Sequence, residues 1–521
     1  MQVYPRVNTN LSPPLGRKVH NDRLILAGKS RLAVDHTNQV SQKRAITGTG
    51  ALFFIQTFAT MGFAVLYSSL VLYATKRLGF SEGQANTMMG VFGAFNYGLH
   101  LFGGYLGGRF LSNRNLFVLG MALQIAGCWT LSGQSAEGLY WGLAMFLTGS
   151  GLNVTCINMM LTQRFSPQDN RRESAFLWNY AGMNLGFFLG FTGAGYFQLS
   201  EHYEALFLFA TTGNTVAIII SLLCWKILAD INTPLLQASR RQFRWRLLGG
   251  LGILLLLVPT IRLMLHHAEF TGSFVLVLGA AIFLMLCLTT LRHRPRDEQR
   301  RMSAYLLLSL GALVFWTLYQ LAPMGLMLFT EHNINLNVYG VQVAPQWVQN
   351  TNTLVIVVGG PLLALSFQRL RERGWRIDIP LQFACSLFFI GLGMLVLPLG
   401  IALAGGDGLV AFKWIVTSYV LQSIGELLIS PIGYAMIGKL APVRYQGVMM
   451  GCWMMTTGVA SVLAGHVSAL MPENSGSTPL LTNPGYGHIF SLLGWGSVAV
   501  GLILVFLSPL LRRLIQPGEP R

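Results

Sequence analysis

The sequence predicts an all-α polytopic membrane protein, and three observations carry that reading. Of its 521 residues, 53% are hydrophobic and 11% charged, too few charges to clothe a soluble protein. The apolar residues come in runs of roughly 20 or more, the length a helix needs to cross about 30 Å of hydrocarbon. The Lys and Arg residues behind the net charge of +17 cluster between those runs rather than along one face, which is a positive-inside pattern and not a nucleic-acid surface.

Taken in order, residues 1–46 are polar and basic (Arg17, Lys18, Arg23, Lys29, Arg31, Lys43, Arg44) and hold no apolar stretch suited to a cleaved signal peptide. They read as a cytoplasmic, mostly disordered tail. Fourteen spans follow, near 47–74, 84–110, 115–133, 138–163, 174–199, 203–229, 246–265, 270–291, 303–329, 347–368, 379–403, 410–438, 446–470 and 486–510. Threaded alternately from an inside N-terminus, the inside loops receive Arg109 and Arg114, Arg164 to Arg172, Arg240 to Arg246, Arg292 to Arg301, Arg369 to Arg376, Lys439 and Arg444, and Arg512 and Arg513. The outside loops are nearly free of cations apart from Lys76 and Arg77, so both termini are expected in the cytoplasm. Cys128, Cys156, Cys224, Cys287, Cys385 and Cys452 all fall in apolar runs without CxxC or metal spacing, and read as small hydrophobes.

Fourteen spans fit two six-helix bundles with a pair set aside. That division gives an N-terminal bundle over 47–232, an inserted pair with linkers over 240–296, a C-terminal bundle over 302–511 and a cytoplasmic tail over 512–521. Basic loops recur at matching places, GGYLGGRFLSNRN (103–115) after the second span of one half and RLRERGWR (369–376) after the second span of the other. Such a repeat resembles that between the halves of the major facilitator superfamily.

Three stretches sharpen the resemblance: FSPQDNRRESAFLWNYAGMNLGFFLGFTGAGYF (165–197), FWTLYQLAPMGLMLF (315–329) with QWVQNTNTL (346–354), and SYVLQSIGELLISPIGYAMIGKLAPVRYQGVMMGCW (418–453). Together they resemble the proton-dependent oligopeptide transporters of that superfamily, whose bacterial members also carry two extra helices between the halves. The resemblance implies a major facilitator fold and peptide transport. It departs on the first span, where the family usually has ExxERFxYY and this chain reads QTFATMGFA (56–64), with no Asp, Glu, Lys or Arg from 47 to 75. Thr60 and Tyr67 stand where the family's two helix-1 arginines would be, and Val154 where its fourth-helix lysine would be. Those cations hold a peptide's carboxylate. Glu426 stands where the family keeps the acid that receives the peptide amine, with Asn352 at an amide position beside it.

Glu426 draws attention without the family. It lies about sixteen residues into its span, whereas the other acidic residues of the 19 sit in tails, loops or span ends. A carboxylate at that depth persists mainly where it faces a cavity or a partner, and burial there allows it to take up a proton with which a substrate ammonium would compete. The alternative is a protonated acid bonded to an amide for packing. His100 is a second titratable group at mid-depth. Mammalian relatives have a histidine on this helix about two turns earlier, where this chain has Gly90, so a packed neutral imidazole is the competing reading.

Gln56, Asn96, Tyr97, Asn153, Asn158, Tyr180, Asn184, Gln320, Asn352 and Gln422 are expected along the route, or else serve as interhelical hydrogen bonders, with Trp316 and Trp453 forming apolar pockets. No phosphate-cradling loop, zinc spacing or nucleophile elbow appears in a supporting context, which argues against an enzyme and against a cofactor or metal. The expected protein is a secondary transporter of peptide-like or amine-bearing solutes, proton-linked through Glu426 and His100. Its expected substrate site comprises Glu426, Asn352, Tyr67, Asn158, Tyr97, Gln320, Trp316 and Trp453. The missing cations point to a substrate without a free carboxylate, or one bound by Tyr67 and Asn158. An exporter of amphipathic cations and a transporter-derived sensor are the alternatives. The expected setting is a bacterial inner membrane, with the chain acting as a monomer alongside lipid, protons and its solute and no nucleic acid.

Overall fold

The computed structural model describes residues 47–165, 169, 171–374, 378–473 and 476–516. The expected N-terminal tail, Arg376 and the last residues of the C-terminal tail lie outside the described residues.

Each apolar run closes its own backbone hydrogen bonds as a helix, the form a chain must take in hydrocarbon. In chain order the helices are α1 Thr47–Lys76, then α2 Glu82–Leu106, α3 Asn113–Ser132, α4 Ala136–Thr162, α5 Arg171–Leu199, α6 Tyr203–Leu223, α7 Arg240–His266, α8 Ala268–Arg292, α9 Arg296–Tyr319, α10 Gly325–Asn333, α11 Pro345–Glu372, α12 Ile379–Ala402, α13 Phe412–Leu440, α14 Gln446–Ala469 and α15 Pro479–Ile515. Among the described residues 12 helices are long and apolar enough to cross a membrane. α2 and α5, with 25 and 29 residues, are also long enough and carry more glycine and amide side chains. A short hairpin, β1 Asn337–Val338 with β2 Val341–Gln342, precedes α11.

α7 and α15 begin several residues before their expected starts, and two other spans are broken or cut short. The span expected over 303–329 is interrupted: α9 stops at Tyr319, residues 320–324 form turns, and α10 resumes at Gly325. Pro323 explains the break, since it has no N–H to donate and pushes the residue before it out of helical geometry. α6 ends at Leu223 rather than near 229, and turns follow.

Within one half α3 packs on α4 and α6; within the other α12 packs on α13 and α15. The halves meet through α2 against α14 and α5 against α11. α7 lies on α4, while α8 touches α2, α9 and α14, so the inserted pair contacts both halves. Its outer face is apolar and bare (Leu255, Phe270, Val277 and Leu291), as a lipid-facing surface should be.

Small residues allow the closest approaches. A Cβ on Gly90 would sit 2.9 Å from Ser461 O and 3.2 Å from Gly465 Cα, so α2 and α14 touch backbone to backbone.

The ends of the bundles differ. At the arginine-poor end, Lys76 of α1 pairs with Glu331 of α10, and His332 Nε2 lies 3.7 Å from Glu82 Oε1 of α2. Beside them Gln346 Nε2 donates to Gln198 Oε1 across 3.3 Å and Trp347 Nε1 to Thr192 O across 2.9 Å. These contacts join the halves there. The two cations that break the loop pattern are accounted for: Lys76 by Glu331 and Arg77 by a hydrogen bond to Gln134.

Candidate functional site

Between the halves lies a cavity of about 490 Å³. That is within the range of small-molecule sites, roughly 300–1,000 Å³. α1, α2, α3, α4 and α5 wall one side, and α9, α11, α13 and α14 the other. Tyr180, toward the arginine-rich end of α5, lines it while 43% exposed.

Glu426 is the one Asp, Glu, Lys or Arg among the described lining residues. It projects from α13 and is held from two other helices. Asn352 of α11 donates Nδ2 to Glu426 Oε2 across 2.7 Å and shares that amide with Ser423 Oγ at 2.9 Å. The Tyr319 hydroxyl at the end of α9 is the second donor to the carboxyl. Two side-chain donors converge on an acid that has no cation beside it, leaving charge that a ligand ammonium can neutralise.

Tyr67, Tyr97, Asn158, Trp316, Trp453 and His100 also line the cavity, as do Gln56, Asn96, Asn153, Tyr180, Asn184 and Gln422. Gln320 does not. It caps the C-terminus of α9, and its Oε1 accepts from the Tyr67 hydroxyl at 3.0 Å behind the lining. Its expected place in the substrate site is therefore corrected to a support for Tyr67. His100 lies within two turns of the end of α2 at Leu106. It is 9% exposed, and neither ring nitrogen has a hydrogen-bond partner.

The positions where cations were expected by resemblance are occupied by neutral side chains that reach the cavity, namely Thr60, Tyr67 and Val154. Gln56 Nε2 donates to Thr60 Oγ1 across 2.8 Å, and Asn179 Nδ2 donates to Gln56 Oε1 across 3.3 Å, so the Gln56 amide is paired on both sides. Among the described residues no group of three His, Cys, Asp or Glu could hold a metal ion.

Sequence reasoning missed Tyr319, Ser423, Tyr419 and Gln349. Tyr319 and Ser423 each stand three residues from a residue already singled out, Trp316 and Glu426, and so share its helical face. That spacing was the available signal.

A family model described as PTR2, POT family, matches residues 114–484. The dipeptide and tripeptide permease A of Erwinia pyrifoliae is 31% identical over 479 residues, covering 90% of this chain and 95% of the permease. That of Cronobacter turicensis is 29% identical over 480 residues, covering 90% and 94%. Among solved structures, a mutant of the peptide transporter POT in complex with alafosfalin superposes with a TM-score of 0.79 at 25% identity, covering 91% of this chain and 99% of that one.

Proposed function

The chain belongs to the POT family and is a peptide transporter rather than an enzyme, and from that premise we propose that it moves amine-bearing, peptide-like solutes by alternating access, with Glu426 as both amine anchor and proton-exchange group. The observation that carries the proposal is the Glu426 carboxyl, held by Asn352 and Tyr319 in a cavity wall whose other described residues include no Asp, Glu, Lys or Arg. A substrate ammonium and a proton would compete for that carboxyl, and such competition is what links a proton gradient to solute movement.

The remaining proposed assignments follow from the same site. Tyr67, Tyr97, Asn158, Trp316 and Trp453 supply the contacts to the rest of the solute, and His100 is a second proton-carrying group. The contacts joining the halves at the arginine-poor end support a resting arrangement closed on that side. With the positive-inside rule, that side is the exterior of a bacterial inner membrane, and both termini face the cytoplasm.

Proteoliposome uptake of a radiolabelled dipeptide or dipeptide amide, with and without an inward proton gradient, tests this reading. Uptake should rise with the gradient in the native protein and lose that dependence in Glu426→Gln. Gradient-driven uptake undiminished in Glu426→Gln would overturn it.

A further inference from the structure

The N-terminal wall of the cavity carries unpaired hydrogen-bonding capacity and, among its described residues, no Asp, Glu, Lys or Arg. His100 of α2 is 9% exposed and bonded at neither ring nitrogen, and Gln124 Oε1 of α3 and Asn153 Oδ1 of α4 are likewise buried without a partner. All three line the cavity together with Asn158. Orphaned polar atoms are costly, about 1–3 kcal/mol each, and are usually satisfied in the working protein. This turn of α2 is also fixed in place, because Thr155 Oγ1 of α4 donates to His100 O across 2.8 Å.

Resting on the reading that Glu426 holds the amine, we propose that the α2–α3–α4 wall around His100 is a second ligand subsite, and that it takes an uncharged amide at the far end of the substrate rather than a carboxylate. A neutral imidazole offers one donor and one acceptor, and a side-chain amide carbonyl accepts. A primary amide is the complement: its carbonyl accepts from the imidazole N–H, and its NH₂ donates to Gln124 Oε1. A carboxylate would lie against that same acceptor with no Lys or Arg on the wall to pair it, and an unpaired buried anion is strongly disfavoured. The substrate class is therefore an amine joined to a blocked, uncharged polar terminus, such as a peptide amide.

Calorimetric titration of the purified full-length protein with leucyl-alaninamide and leucyl-alanine tests the subsite. The amide should bind at least about tenfold more tightly than the acid. His100→Leu should collapse that ratio toward one by weakening the amide alone, while His100→Gln, which keeps a donor and an acceptor, should preserve most of it. Equal affinity for acid and amide, or a ratio unmoved by His100→Leu in protein that keeps its native melting temperature, overturns the subsite while leaving the amine anchor standing. Binding of neither ligand, or amide binding indifferent to Glu426→Gln, overturns the amine anchor and the subsite with it.

Discussion

Tyr67 and Gln320 join the two halves of the molecule through an uncharged hydrogen bond, the Tyr67 hydroxyl donating to Gln320 Oε1 across 3.0 Å. Such a bond is worth about 1 kcal/mol, roughly a fivefold bias in a two-state equilibrium. Tyr67→Phe should move the population by that factor away from the arrangement described here. Spin labels at the arginine-poor ends of α5 and α11 would register it as growth of a longer distance. An unchanged distribution would show that the bond does not set the balance.

Asn352 spans two acceptors, Ser423 Oγ and Glu426 Oε2. Asn352→Ala removes a hydrogen bond to a group that is charged when it holds an amine, worth about 1.5–3 kcal/mol. Affinity for an amine-bearing peptide should fall by about ten- to a hundredfold, with little loss of thermal stability. Titration calorimetry and a melting curve on the same preparation separate the two effects.

The contact between Glu82 and His332 carries a pH dependence of definite sign. Burial holds the His332 imidazole below its ordinary value of 6.5; Lys76 adds to that and Glu331 opposes it. Glu82, 3.7 Å away, attracts the charged form without overcoming burial. The closed end thus binds this proton less readily than an opened, hydrated one. Its stability is full above the ordinary value and declines as the pH falls below it. Hydrogen exchange of residues 325–333, corrected for intrinsic rates, should quicken between about pH 7.5 and pH 5.5, and His332→Gln should flatten the change.

At Gly90 a side chain would meet the backbone of α14. Gly90→Val should cost about 1–3 kcal/mol through overpacking. It should also lower uptake more than Gly98→Val on the same helix, where an added Cβ meets nothing within 4 Å. Comparing melting temperature and uptake rate for the two variants checks this, and equal behaviour would remove the interface from the account.

The spans and the place of Glu426 in a cavity were legible because hydrocarbon imposes a length on apolar runs and isolates an intramembrane acid. Inserting the pair α7–α8 between the halves followed from the two dense arginine clusters around it. What was not legible depends on distance in the chain. Tyr319 reaches Glu426 from over a hundred residues away, and a tyrosine in an apolar helix gives no sign of which helix it will face. Gln320 was misplaced because its part in the site depends on where α9 ends, and a proline three residues further on sets that end without revealing which way the freed side chain turns. Likewise the end of α2 at Leu106, within two turns of His100, is a boundary that hydropathy blurs.

The interruption at 320–324 makes one membrane passage into two bodies with separate duties. α9 presents Trp316 and Tyr319 to the cavity, while α10 carries the Glu331 and His332 contacts that bridge the halves at the far end. In the proposed transport cycle, a jointed passage of this kind would let α10 move while α9 keeps its alignment, so that a solute is admitted before its grip is rearranged. An uninterrupted helix would have forced the two events to coincide.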